Sequence, residues 1–490
     1  MRHVATLVVG IALTGCSLIY NPSNLPPPID APPDPTMLQL GGAGPMMLFE
    51  GQGTGGSRPA ILAITGKNLT VAATVRVYAT GSETPMITVN SNDPMITSKV
   101  SAASDVLAVS VTLPVDPALP ANATSAMQDI PLTIEVSQPA AGGPVTQTLT
   151  GAVTMRTLPE LIAGTADSAS LRPMYSQVDL SGPLTFAAAA GKPRALIRSA
   201  STINLKDVTV SAVGSVPGPG GVAGGPSGQA GGGGSSGGSA GNLLSGGGGG
   251  GLATAGQSGG GMGGTIMGGI ANGDPLISDY KTPNTNISGG GGGGDSSVGG
   301  GGGGTLELTA AGDVHVDAIT ANGGAGANGG VTPAGGGAGG IVVIRSGGTA
   351  TLGGAINAVG GLGGTGGAGT AGAGSLGRTR IDASVVSGTP VVTPSFHAGA
   401  SWDPATPLTT KTSPFGMKLL GMAADKFDVV VLDGAGGASS PAFTADFGNA
   451  SQITVRPTLQ PGFNRVCVTR TGGSVTVVEA TNCIDVAYVP

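Results

Sequence analysis

The sequence predicts an all-β protein: a β-sandwich, a central glycine-rich parallel β-solenoid-like region with long Gly loops, and a C-terminal disulfide-bearing β-sandwich. Three observations lead there. Short β-branched runs with period-two alternation recur along the chain, separated by Gly, Pro and Asn. Glycine and proline supply 94 and 36 of the 490 residues, a composition of repeats and low complexity rather than of one ordinary core. Once the glycine runs are set aside, a strand–corner–strand unit repeats between them. The 39% of hydrophobic residues against 10% charged excludes a wholly disordered chain. Collagen is excluded because no strict Gly-X-Y register runs through the glycines.

Residues 1–15 read as a lipoprotein signal peptide. Arg2 and His3 precede an uncharged apolar run over 4–13, half of the ~20 residues a helix needs to cross a bilayer, so it reads as the core of an export signal. Leu13-Thr14-Gly15-Cys16 at its end resembles the lipobox of bacterial lipoproteins. The resemblance implies cleavage between Gly15 and Cys16. Small residues fit the peptidase, and the Cys16 thiol then takes a diacylglycerol as the new N-terminus. Two or three acyl chains give a stable membrane partner where one does not. Ser17 rather than Asp follows Cys16, which by that family's sorting rule implies the outer membrane of a diderm cell envelope. Residues 16–36 are thus a lipidated Cys and a Pro-rich spacer, with seven prolines in 21–36 favouring extended polyproline II.

Residues 37–160 read as an all-β module with strands at 60–64, 71–78, 86–89, 106–113, 130–136 and 146–155, spaced as in a sandwich. The stretch ILAITGKNL over 61–69 places Gly66, Asn68 and Leu69 after an apolar strand. It resembles the opening of IPT/TIG immunoglobulin-like domains. That resemblance implies an Ig-like sandwich serving as a structural or ligand-presenting spacer.

Residues 165–390 form the glycine-rich β-repeat region, and 66 of the 94 glycines fall within 211–380. Residues 194–214, 305–323 and 341–360 each read as a short apolar strand, a small-residue corner, an alternating strand and a glycine exit. Ile197-Arg198-Ser199 and Ile344-Arg345-Ser346 are identical triplets. Leu308 and Ile344 lie 36 residues apart, Ile319 and Ile356 lie 37 apart, and Arg378 to Ala383 opens a further copy. Short strands at fixed spacing are what a parallel solenoid requires, because each coil buries itself only against its neighbours. The pattern resembles glycine-rich solenoid repeats of bacterial surface and adhesin-type proteins, which implies a surface or adhesive role. An antiparallel sheet with long glycine loops is the alternative.

Within this region, 215–304 is a low-complexity Gly-rich insert. A loop of that length costs little closure entropy, and most of it is expected to be a disordered surface loop. The other reading packs its glycine runs on one another as polyproline-II strands through backbone hydrogen bonds. Residues 265–267 and 275–277 read as short anchoring strands.

Residues 395–490 form the second sandwich, with strands at 427–432, 453–455, 465–470, 474–478 and 483–488 and a hairpin turn at Gly472-Gly473. Cys467 and Cys483 are the cysteines left besides Cys16. An even pair in an exported chain predicts a disulfide between two strands of one sheet.

No catalytic constellation stands out. The mature chain's histidines are His315 and His397, and His315 alternates with Val314 and Val316, so it points outward. No spacing suits zinc, and no metal or other cofactor is expected. Gly-x-Ser-x-Gly occurs at 237–241 and 256–260 through glycine density alone, without the strand–turn–helix context of a nucleophile elbow. Gly66-Lys67 and Gly191-Lys192 run on into Asn and Pro, so neither is a P-loop. One loose relative of a calcium repeat, 293–298, has no second copy. A polysaccharide-cleaving solenoid would draw on Asp313, Asp317 and Asp382, with Tyr280 the one aromatic between 187 and 395. Without residues 1–15 the chain has 20 basic and 27 acidic residues, a balance of −7 with no basic stripe, so nucleic acid is not an expected partner. The expected function is that of a lipid-anchored cell-envelope surface protein with a structural or adhesive, non-catalytic role. Its partner would be a glycan or an envelope protein. A carbohydrate-binding or carbohydrate-active solenoid at the cell surface is the alternative.

Overall fold

A computed structural model describes residues 37–490 apart from 55–57, 91–95, 101–104, 115–126, 160, 162–164, 167, 169–170, 273–287, 368 and 471–482. The signal segment, Cys16, the spacer, 275–277, Gly472-Gly473 and 474–478 therefore lie outside the described residues. The fold is all-β, with several sheets both parallel and antiparallel. Among the described residues no helix is long and apolar enough to cross a membrane.

The N-terminal module is a sandwich. One sheet orders Gln39–Gly44, Ala60–Lys67, Asp105–Val111 and Ile96–Val100, all antiparallel. The other orders Met47–Phe49, Val145–Arg156, Asp129–Gln138, Thr74–Ala79 and Ile87–Val89. Alternation sorts the side chains: Leu62, Ile64, Leu107 and Val109 bury against Val75, Val77, Ile134 and Val136. The six expected strands are present with shifted ends. Gln39–Gly44, Met47–Phe49 and Ile96–Val100 go beyond expectation; QLGGAG and MLF show too little alternation to be read. The motif around Gly66 has a local reason. Its Cα lies against the backbone of Gln39, where a Cβ would collide; Asn68 takes φ 59°, and Leu69 is fully buried.

The repeats coil in parallel. One sheet stacks Ala195–Ser199, Thr305–Ala310, Ile341–Ser346, Arg378–Asp382 and His397–Ala398, so that Ile197, Leu308, Ile344 and Ile381 are consecutive register partners. The facing sheet stacks Ile203–Thr209, Val314–Thr320, Thr349–Leu352 with Ile356–Asn357, and Val385–Gly388 with Val392–Thr393. The residues spaced 36 and 37 apart are direct neighbours across these ladders. Leucine, isoleucine and valine from both sheets fill one core between them. An earlier coil precedes the expected first one: Val178–Leu180 and Leu184–Phe186 pair in parallel with Ile203–Thr209.

The expectation of disorder for 215–304 is overturned in its described parts, 215–272 and 288–304. With no side chains between them, glycine segments approach until backbone amides meet backbone carbonyls of neighbouring segments. The run 246–251 shows the geometry. Gly246 and Gly249 donate to Gly260 and Gln257, Gly247 and Gly250 to Pro333 and Gly336, Gly248 and Gly251 to Ser239 and Ser236, at 2.8–3.4 Å. Every third residue meets the same neighbour, which is the threefold screw of polyproline II. Runs 289–294, 299–304 and 335–340 repeat this, for example with Gly300 and Gly303 donating to Gly335 and Ala338. The segments 321–340 and 358–377, which link solenoid coils, belong to the same bundle. The expected strand at 265–267 is one of these segments, bridged at Ile266 to Gly259. Leu252, Ala338, Ile341 and Val343 bury together and seat the bundle on the outward side of the strand Ile341–Ser346.

The C-terminal module pairs Ser401–Trp402, Met417–Leu420 and Gln452–Val455 with a second sheet of Thr409–Thr410, Cys483–Tyr488, Gly462–Arg470, Lys426–Leu432 and Phe443–Asp446. Trp402, Met417, Phe427, Val429, Val466 and Val486 lie in its core. Phe463, Ala487 and Val489 pack on Ile61, Ala63, Val106 and Ala108 of the N-terminal sandwich.

Candidate functional site

Of the residues singled out from the sequence, Cys467 and Cys483 stand opposite each other on antiparallel strands and are joined by a disulfide across 16 residues. Beside it, Arg465 donates two hydrogen bonds to Asp485 at 2.7 and 2.9 Å. Burial pulls the Arg465 guanidinium down, but the charge and hydrogen bonds of Asp485 more than reverse this and hold it above its ordinary value. Gly15 and Cys16 lie outside the described residues.

The carboxylates a polysaccharide-cleaving site would draw on are each engaged by a different partner. Asp313 accepts a hydrogen bond from the Thr349 amide at 2.7 Å, Asp317 lies 3.2 Å from the half-exposed His315, and Asp382 is buried against Arg380 at 2.6 Å. Both Gly-x-Ser-x-Gly matches are bundle segments, hydrogen-bonded on to Gly293, Met267 and Ala373. In the calcium-like stretch the Asp295 amide donates to Thr332 Oγ1 and Ser297 Oγ to the Thr332 carbonyl, so it is a turn tied to its neighbour. Among the described residues no group of three or more His, Cys, Asp or Glu is placed to hold a metal ion.

Two features escaped the sequence reading. The first is a row of ionisable groups on the outward face of the sheet that stacks Ile197 to Ile381, with Arg380 and Asp382 buried and Arg345 and His397 partly so. Arg345 Nε lies 3.4 Å from Asp382, Arg380 stacks 5.9 Å from the Phe427 ring, and His397 Nε2 sits 3.3 Å from Asp425 of the C-terminal module. Charges at every second position, as in RTRID, look solvent-facing, and only the module packed over them buries them. The second is a cleft of about 120 Å³ where the solenoid meets both sandwiches. Ser199, Thr309, Ser346 and Asp382 from successive strands form one wall, with Phe49, Met174 and Trp402 among the apolar residues. Its cations are already engaged: Arg58 donates to the carbonyls of Asp403 and Thr406, and Arg465 is paired with Asp485. Burial draws the Arg58 guanidinium below its ordinary value, against the opposing charge of Asp403. Ser401 Oγ, buried at the cleft, has no hydrogen-bond partner among the described residues.

The turns at the far ends of the bundle segments from the solenoid strands form a common tip. The Gly228 amide donates to Gly294 at 2.7 Å, Gly263 to the Leu244 carbonyl at 3.3 Å, and Thr365 to Asn328 Oδ1 at 2.8 Å, so neighbouring turns are tied together. From these turns Leu243, Leu244, Met262, Val298 and Val331 project into solvent; Met262 is 81% exposed and Leu243 68%. Across 215–272, 288–304, 321–340 and 358–377 there is a single charged residue, Asp295, and no Phe, Tyr or Trp. A nearly charge-free body thus displays aliphatic side chains on neighbouring turns.

Compared with known protein families, with curated proteins and with solved structures, the chain matches none.

Proposed function

We propose that this protein is a lipid-anchored component of the cell envelope, held at an outer membrane through Cys16, with a structural or adhesive, non-catalytic role. The glycine bundle is its recognition arm and the N-terminal sandwich, with its IPT/TIG-like opening, is a spacer. The observation that carries this reading is the tip: apolar side chains on turns whose relative positions are held by backbone hydrogen bonds. Pre-organised loops lose little freedom on binding, which favours recognition.

Cell fractionation tests the anchor. The protein is expected with the membranes and the Cys16→Ser variant in the soluble fraction; a variant that still fractionates with membranes refutes lipidation at Cys16. A reducing-end release assay on envelope polysaccharides tests the absence of catalysis, and specific cleavage would refute it. The second reading, carbohydrate binding, is favoured by the cleft, where Trp402, the chain's one tryptophan, stands beside Ser401 and Asp382. A glycan array with a Trp402→Ala comparison discriminates: specific binding lost in that variant supports the second reading over the first.

A further inference from the structure

We propose that the cleft between the solenoid and the two sandwiches binds a single uronic acid residue, with its carboxylate on Arg58, its hydroxyls on Asp485 and Gln52, and its ring against Phe49, Met174 and Trp402. This rests on the second reading, in which the cleft takes a carbohydrate, and it names the class of sugar. The charge of Arg58 is the first support. Its guanidinium donates to the Thr406 carbonyl at 3.3 Å and to the Asp403 carbonyl at 2.6 Å, and among the described residues it meets no carboxylate. The Asp403 carboxylate serves other groups, accepting from the Ala405 amide at 2.8 Å and lying 4.0 Å from Lys418. A guanidinium has five N–H donors, of which two are used here, so three remain for a carboxylate. A partly buried charge is costly without a counter-charge. Burial draws Arg58 below its ordinary value, and the charge of Asp403 does not reverse it. On the same cleft Arg465 shows the paired case, held above its ordinary value by Asp485. Arg58 lacks what Arg465 has, and an anionic ligand supplies it.

The rest of the lining decides what carries the anion. Asp485 accepts two hydrogen bonds from Arg465, and its oxygens hold lone pairs for others. It repels a second anion, so the ligand group beside it must be a donor, as a hydroxyl is. Gln52 Oε1 accepts from the Phe49 amide at 3.2 Å, which leaves the Nε2 hydrogens for a ligand oxygen. Phe49, Met174 and Trp402 give the wall an apolar part on which the C–H face of a sugar ring packs. A cavity of ~150 Å³ holds one benzene ring. The cleft, at about 120 Å³, therefore takes one ring and not an oligosaccharide. A cation, an acceptor and an apolar surface side by side match a carboxylate, hydroxyls and a ring in one molecule.

Trp402 is the chain's one tryptophan, so its emission reports on the cleft. The full chain carrying Cys16→Ser, so that no acyl anchor contributes, is titrated with three probes. These are glucuronate, glucuronamide, which keeps every hydroxyl but not the charge, and acetate. Glucuronate is expected to change the emission saturably. Glucuronamide should bind at least about tenfold more weakly, and glucuronate should bind Arg58→Gln more weakly by a similar factor. Equal binding of glucuronate and glucuronamide, or unchanged binding by Arg58→Gln, overturns the proposal and leaves the carbohydrate reading in place. No response to either sugar also overturns it, and the glycan array then decides the carbohydrate reading separately. Acetate saturating at the same concentration as glucuronate overturns it too, since the cleft would then hold an anion and not a sugar. Should Arg58→Gln fail to fold, the comparison of glucuronate with glucuronamide on the unaltered cleft decides alone.

Discussion

Replacing Gly335 with alanine puts the packed state of the glycine insert directly to the test. A Cβ at this position would fall onto the Gly248 carbonyl and beside the Gly249 amide, both backbone atoms that no rotamer change can move aside. The Gly335 amide donates to Gly292 and its carbonyl accepts from Gly300, each at 2.8 Å, so displacing this segment strains bonds on two other sides. Forcing one extra methyl into a packed interior costs about 1–3 kcal/mol. Two weakened hydrogen bonds add about 1 kcal/mol each. The expected loss is therefore about 3–5 kcal/mol. The control is Gly330→Ala in a neighbouring turn, where a Cβ meets nothing within 4 Å and the backbone is not left-handed. There the change should be within about 1 kcal/mol, and favourable if it acts through the unfolded chain. Urea unfolding followed by circular dichroism compares the two, and hydrogen exchange reads the amides of 246–251. Equal midpoints for both variants, together with unprotected glycine amides, would refute the packed bundle.

Other outcomes follow from the sandwiches. Changing Cys467 and Cys483 to serine together removes a cross-link over 16 residues, and by chain entropy should destabilise the protein by about 3 kcal/mol, read as a lower midpoint that a reductant no longer shifts. Asp485→Asn leaves the buried Arg465 guanidinium without its anion, with an expected loss of about 3–5 kcal/mol in the same assay. Hydrogen bonds from Arg156 hold the Asp129 carboxyl below its ordinary value. A depressed carboxylate contributes stability fully above its unfolded pKa, and that contribution is lost as pH falls through the folded value. Asp129→Asn should therefore cost under about 1 kcal/mol at neutral pH, given the pair's exposure, and progressively less as the pH falls below the usual carboxylate range, as urea titrations along that pH series would show.

Much of the architecture was legible because period-two alternation reports burial locally. Ile197, Leu308 and Ile344 align from the sequence alone, since a solenoid places equivalent residues in register one coil apart. The disulfide was legible from cysteine count alone. The first coil, around Val178–Leu180, was not, because its strands are three residues long and lie outside the glycine-punctuated repeats. The burial of Arg380 and Asp382 escaped the sequence for a different reason. They alternate as surface residues do, and the element that covers them, bearing Phe427 and Asp425, comes about 45 residues later.

Glycine shows most clearly how the two levels divide. By itself the sequence determined where the strands run, that they repeat, and that 215–304 holds too few side chains to build a hydrophobic core. It left the state of that insert open, because a glycine has no side chain through which its neighbours could be read. The tertiary structure decided it. The amide of Gly248 finds Ser239, that of Gly292 finds Gly248, and that of Gly335 finds Gly292, residues separated by as many as 44 positions. Backbone hydrogen bonds between segments carry the same chemistry at every residue, so their pairing is encoded only in how the whole chain is threaded. The solenoid coils do that threading by holding the ends of the segments in place, and with them the aliphatic tip.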